Sequence, residues 1–222
     1  MTGDADAYKL SDAAERLSTK GLLQPGDSLS LRLAGAGKIL LLTAAEDAPQ
    51  IEAVALPAAS GVNLGGNYGS NSLGWHLAAY EARADVGVVL LNCQPWTVAL
   101  HELGGMPGVF DEQIRHLGRA VARLDEQLAA PAGRALMGSG ANAFVMKGQA
   151  LCLGMTLERA VFNAELLEKC AKAYVLASCT GMPVGKIPWL VRWIANGRLV
   201  KDERHAAEQY ANGLTPAFSS AY

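Results

Sequence analysis

Histidine is scarce in this 222-residue chain, with four residues at positions 76, 101, 116 and 205, too widely spread to form a ligand motif. The four cysteines, Cys93, Cys152, Cys170 and Cys179, show no CxxC spacing and sit in apolar segments, so they read as buried free thiols. Charged residues make up only 18%, the net charge is −2, and Lys and Arg are scattered singly. That leaves no basic face for nucleic-acid phosphates. Apolar runs such as Val86 to Leu91 are far too short to span a bilayer. The first residues, Met-Thr-Gly-Asp-Ala-Asp-Ala, are acidic and lack the apolar core of a secretory signal. A soluble cytoplasmic protein, bound to neither membrane nor nucleic acid, is expected.

What the chain does have is apolar residues. They form half of the sequence, enough for one continuous core, and no linker-like stretch divides residues 1–222, so a single domain is expected. A helix is predicted from Lys9 to Leu22, with Ser11 as a cap and Gly21 ending it. Ser28–Leu33 alternates Ser/Leu/Ser/Leu/Arg/Leu and reads as a half-buried strand. Lys38–Thr43 follows as its hairpin partner, and Ile51–Leu56 as a third strand. Ala58 to Tyr68 reads as a Gly- and Asn-rich surface loop. Later, the spacing of Ile114, Leu117, Val121 and Leu124 predicts a helix over 111–128, opened by Asp111 and Glu112 at the favourable end of its dipole. Met106-Pro107-Gly108 reads as a loop, and 131–140 as irregular. Strands follow at Asn142–Met146 and Ala150–Leu153. The clearest helix is Leu157–Ser178, capped by Thr156, with Glu165–Lys169 and Glu168–Lys172 as outward i, i+4 pairs. Two further helices close the chain, one apolar around Ile187 to Ile194 and one polar over 201–212.

The middle of the chain, Ser70 to Trp96, reads as a helix with Leu73, His76, Leu77 and Tyr80 on its buried side. A fully apolar strand and a Pro95-started helix follow, the latter with Cys93 or Gln94 at its cap. Enzymes commonly place their chemistry at the end of such a strand. Here that end carries Leu91, Asn92, Cys93 and Gln94, with no obvious acid, base or ligand cluster.

Four segments give the order of elements a family likeness. They are Pro-Gly-Asp-Ser-Leu-Ser-Leu-Arg at 25–32, Ser70-Asn71-Ser72 through His76 to Ala-Asp-Val-Gly-Val-Val, Pro95-Trp96-Thr-Val-Ala-Leu, and Leu-Gly-Met-Thr-Leu-Glu-Arg-Ala through Ala-Glu-Leu-Leu-Glu. Together they resemble the class II aldolase/adducin family. The resemblance implies a three-layer α/β fold, its central sheet mixed and mostly antiparallel with helices on both faces, and a homotetramer with sites between subunits. Family aldolases hold zinc with three histidines and use a glutamate as acid/base. The matching positions here are Leu91, Cys93 and Gly148 for the ligands and Ser72 for the glutamate. Where the family receives a phosphate, this chain has Asp27-Ser28 and Ala45-Glu46, whose carboxylates oppose a dianion.

No metal or other cofactor is expected on this reading. His76, Cys93 and Lys147 are the candidate catalytic residues. A cysteine near a helix N-terminus can act as a nucleophile, and a lysine can supply the positive charge a metal would otherwise give. His101 could approach Cys93 only if its helix folds back along the strand. Ser28, Ser70, Asn71, Ser72, Asn92 and Gln94 are candidate ligand-binding residues, offering neutral donors and acceptors to a small non-phosphorylated carbonyl or carboxylate compound. The expected chemistry is of lyase, isomerase or decarboxylase type. Two alternatives stay open. One is a non-catalytic binding or scaffold subunit, with Trp96, Trp189, Trp193 and Tyr222 as interface material. The other is a metal-dependent aldolase whose ligands lie in another register.

Overall fold

Leu29 and Leu31 point to one face of a strand and Ser28 and Ser30 to the other, and this period of two sets which layer covers which side. The computed structural model describes residues 2–56, 72–124 and 138–217. Eight strands form one sheet: β1 (Ser28–Leu33), β2 (Lys38–Thr43), β3 (Gln50–Ala55), β4 (Val88–Asn92), β5 (Gly105–Pro107), β6 (Ala120–Arg123), β7 (Ala143–Met146) and β8 (Gln149–Gly154). Their order is β3-β2-β1-β4-β8-β7-β6-β5, antiparallel throughout except for β6 beside β7. Among the described residues six helices accompany them: α1 (Thr2–Thr19), α2 (Ser72–Ala82), α3 (Pro95–Glu102), α4 (Asp111–His116), α5 (Leu157–Ser178) and α6 (Trp189–Ala211).

The two faces carry two separate apolar clusters. On one, Leu10, Leu17, Leu100, Val161, Leu167 and Ala171 of α1, α3 and α5 pack on Leu29, Leu90, Val145 and Cys152. On the other, Trp75, Ala78, Ala79 and Tyr80 of α2 pack on Ile39, Val89, Leu91, Leu151 and Leu153. β4 is central and buried along its whole length, as its unbroken apolar run requires. This is the expected α/β architecture, with a mostly antiparallel sheet between helical layers.

Several local expectations need correction. The helix predicted over 111–128 stops at His116, and Ala120–Arg123 form β6 instead, while 125–128 lie outside the described residues. Gly118 takes φ +122°, where a side chain would strike the backbone of Gly140 and Ala141. Leu117, Val121 and Leu124 are buried all the same, because a strand on a covered sheet satisfies them as well as a helical stripe would. The 106–108 loop is partly the short edge strand β5, a position where Pro107 needs no ladder donor. The first helix starts at Thr2, so Ser11 lies inside it and is not its cap. The two closing helices are one, α6, which runs through Gly197 at the cost of about 1 kcal/mol a helical glycine carries. The outward pairs on α5 instead tie α5 to its neighbours. Glu165 meets Arg16 of α1 and Lys20 just past its end, and Lys169 meets Glu112 of α4. The 58–68 loop, residues 131–137, Ser70, Asn71 and Tyr222 lie outside the described residues.

Candidate functional site

The antiparallel register gathers the chemistry-bearing residues at one end of the sheet. Ser28 opens β1 opposite Leu91, and Asn92 closes β4 opposite Ala150 of β8. The β7–β8 hairpin turns at Lys147-Gly148, with Gly148 at φ +79° and both residues exposed. Ser28, Asn92, Cys93, Gln94 and Lys147 therefore share this end, which the first turns of α2 and α3 also approach.

His76 and Ser28 do meet, together with a residue the sequence reading passed over, Ser30. The imidazole is fully buried, its Nε2 2.8 Å from Ser28 Oγ and its Nδ1 2.7 Å from Ser30 Oγ. Tyr80 Oη lies 2.9 Å from Ser30 Oγ and extends the chain. Burial without a carboxylate partner pushes the histidine down to about 3, so it is neutral at physiological pH. Both ring nitrogens are committed, and the side chain acts as a latch between α2 and β1. The clue was the pattern Ser-x-Ser on a strand whose other face is all leucine: two hydroxyls on the covered side of a sheet require polar partners.

Asn92 and Gln94 are also fully buried, but on the opposite face. Asn92 Nδ2 donates to Leu22 O, and Gln94 Nε2 donates to Ala164 O at 3.3 Å, so the amides tie the end of β4 to the α1–β1 connection and the segment after it to α5. Ser72 is half-buried at the start of α2.

Cys93 is partly exposed and flanked by acids. Asp27, itself buried, accepts the Cys93 N–H at 3.0 Å and the Gln24 N–H at 2.8 Å, clamping the strand end to the preceding turn. Glu168 reaches across from α5 and accepts the Trp96 N–H at 3.3 Å, capping α3 where Gln94 supplies no side-chain bond. Burial pushes the Cys93 thiol up, and the carboxylates of Asp27 and Glu168 raise it further. The environment is thus opposite to that of a thiolate nucleophile. Iodoacetamide labelling resolved by peptide mass spectrometry is expected to find Cys93 slower than the exposed Cys179 at pH 7. Labelling faster than Cys179 would show an activated thiolate. His101 pairs with Glu102 on α3, its ring Nδ1 3.2 Å from the carboxylate.

The family zinc site finds no donor set here. A structural or catalytic zinc takes at least three nitrogen, sulfur or oxygen donors from the protein. Leu91 is a hydrocarbon packed in one cluster with Trp75, Gly148 has no side chain, and His76 is held by two serines. Among the described residues, no group of three or more His, Cys, Asp or Glu side chains converges. The residues do not fit the ion. The buried Asp27 carboxylate likewise disfavours a phosphate at its end of the sheet.

Comparison with known proteins bears on the fold. Residues 24–175 match the model of the class II aldolase and adducin N-terminal domain. The fold is similar to that of an L-fuculose 1-phosphate aldolase, with TM-score 0.66 and 18% identity over 86% of this chain and 94% of that one. It is similar to YgbL from Escherichia coli, a proposed aldolase/epimerase/decarboxylase, with TM-score 0.63 and 18% identity over 90% of this chain and 100% of that one. It is similar too to the L-fuculose-1-phosphate aldolase of Thermus thermophilus, with TM-score 0.60 and 18% identity over 80% of this chain and 97% of that one. No curated protein matches the sequence.

Proposed function

The chain belongs to the class II aldolase and adducin family, and from that membership we propose that it uses the inherited end of the sheet, without zinc, on a small non-phosphorylated carbonyl or carboxylate compound. The reaction is of lyase, isomerase or decarboxylase type, carried out by a single-domain cytoplasmic protein assembled as a homotetramer. The observation that carries this reading is the replacement of the ligand positions by Leu91 and Gly148, together with the buried Asp27 where a phosphate would enter. The exposed Lys147 at the β7–β8 turn is the cation this reading assigns to meet a carboxylate or polarise a carbonyl. Ser72, half-buried at the start of α2, adds a hydroxyl to this end.

A second reading, a non-catalytic binding or scaffold subunit, is favoured by one specific observation. Leu91 and Trp75 fill the ligand side of β4, and His76 is fully committed to Ser28 and Ser30. Metal analysis joined to thermal-shift titration separates the possibilities. The first reading expects substoichiometric zinc, stabilisation by dihydroxyacetone or pyruvate, no stabilisation by dihydroxyacetone phosphate, and turnover that Lys147→Ala reduces about tenfold. Stabilisation with no turnover of either compound establishes the second reading. About one zinc per chain, whose removal abolishes activity, would overturn both.

A further inference from the structure

The helical period divides α6 into two faces. Asn196, Leu199, Glu203, Ala206 and Tyr210, spaced three or four apart, are buried against the domain. Leu190, Trp193, Ile194, Arg198, Lys201 and Arg204, linked by the same steps, form the opposite row, which faces solvent. Its first two turns are apolar. Trp193 is 61% exposed and Ile194 63%, with Leu190 near half, and Trp189, one turn before Trp193, is 70% exposed. The next two turns are cationic. Arg198, Lys201 and Arg204 are all exposed, and among the described residues none of the three is paired with a carboxylate. The row runs about 21 Å along the helix, at about 1.5 Å per residue.

Cations that stand singly along the sequence are thus gathered by the helix. Over 172–201 the chain holds five cations and no acid, although its net charge is −2. Asp202, the first acid after them, lies to one side of the row, where it lines a small cavity with Thr156 and Arg159. The buried face fixes the helix in place. Asn196 Nδ2 donates to Ile114 O and Gly140 O, each at 3.1 Å, and the buried Glu203 pairs with Arg83. The row is therefore a formed, convex ridge, apolar at one end and positive at the other. An anionic bilayer is complementary to both parts. Tryptophan rings sit at headgroup level, aliphatic side chains enter the acyl boundary, and Lys and Arg meet the anionic headgroups. A protein partner would need a groove shaped to the ridge, whereas a fluid bilayer yields to it. Nucleic-acid phosphates would leave Leu190, Trp193 and Ile194 uncovered. Among the described residues no helix is long and apolar enough to cross a membrane, so the contact is one of surface alone.

We infer that the solvent-facing row of α6, over 190–204, docks this chain on an anionic lipid surface. The contact goes beyond the reaction proposed above and does not depend on it. The test is co-sedimentation of the full chain with phosphatidylcholine–phosphatidylserine vesicles, beside vesicles of phosphatidylcholine alone. The wild type is expected to sediment with the mixed vesicles and more weakly with the neutral ones. Each cation near such a surface strengthens binding about fivefold, so Arg198→Gln/Lys201→Gln/Arg204→Gln is expected to bind the mixed vesicles about 100-fold more weakly. Lys201→Gln alone, a milder change at an exposed position, is expected to lose about fivefold. Trp193→Ser/Ile194→Ser is expected to release the protein from both kinds of vesicle, with unchanged circular dichroism. A wild type that stays in the supernatant, or charge variants that bind as the wild type does, would overturn the inference. A wild type that ignores vesicles but binds polyglutamate would make an acidic protein the occupant and overturn it too. So would one that ignores vesicles and whose mass by light scattering falls in Trp193→Ser/Ile194→Ser, since a second copy would then cover the row.

Discussion

Arg83→Leu is expected to cost about 3–5 kcal/mol of folding stability, the range for removing one partner of a buried ion pair. The guanidinium is nearly inaccessible and grips Asp85 with two hydrogen bonds, from Nε at 2.9 Å and from Nη2 at 2.6 Å. Nη1 donates to Ala141 O at 2.6 Å, and Nη2 donates to Asn142 Oδ1 at 2.9 Å. Glu203 Oε1 lies 2.8 Å from Nη2 as an ion pair, while Oε2 accepts from Ser139 Oγ and the Gly140 N–H. One side chain thus ties the end of α2 to the start of β7 and to the middle of α6. Leucine would leave two buried carboxylates facing each other without their cation. Typical domains are stable by only about 5–15 kcal/mol, so the loss is a large share of the total. Urea unfolding of the single variant, of Glu203→Leu and of the double variant provides the check. The double variant should recover part of the loss, because it removes an uncompensated charge as well as the pair. Equal stability of Arg83→Leu and wild type would show that the cluster contributes nothing.

The second large effect is on pH dependence. His76 has a value near 3 in the folded protein, against about 6.5 in an exposed peptide. Between those values the unfolded chain binds a proton that the folded chain does not. The contribution is therefore complete above about 6.5 and drains as pH falls towards 3, by about 5 kcal/mol over the whole interval. From pH 7 to pH 4.5, wild type should lose about 3 kcal/mol more than His76→Gln, which keeps hydrogen-bonding atoms for Ser28 and Ser30 but does not titrate. Urea midpoints at the two pH values decide it, since acid-labile carboxylates act equally in both proteins. Parallel losses would mean that His76 is hydrated in the folded state.

These two residues also show how much of the molecule could be read from its sequence. Local patterns identified β1, β2, β4, β8, α3 and α5 closely, because each has its own period or cap: alternating leucines, an unbroken apolar run, Pro95 at a first turn, Thr156 before a stripe. They failed at 111–128 because Leu117, Val121 and Leu124 suit either a helical stripe or a strand on a covered sheet, and only the space beside Gly140 and Ala141 selects the strand. They also failed to find Asp27 as the clamp on Cys93, Glu168 as the cap of α3, and Glu203 as the partner of Arg83. Each of these contacts joins residues at least 66 positions apart, and a local pattern carries no record of such a pairing.

For the candidate site the division is similar. By itself the sequence determined which groups are missing: an aliphatic Leu91 and a bare Gly148 cannot become ligands in any fold, because donor chemistry belongs to the side chain. What the remaining groups do was decided by tertiary structure. Burial turned His76 from a candidate base into a neutral latch, and burial together with two neighbouring carboxylates turned Cys93 away from its thiolate. Protonation state depends on the dielectric and the charges around a group, and those are set by segments far away along the chain.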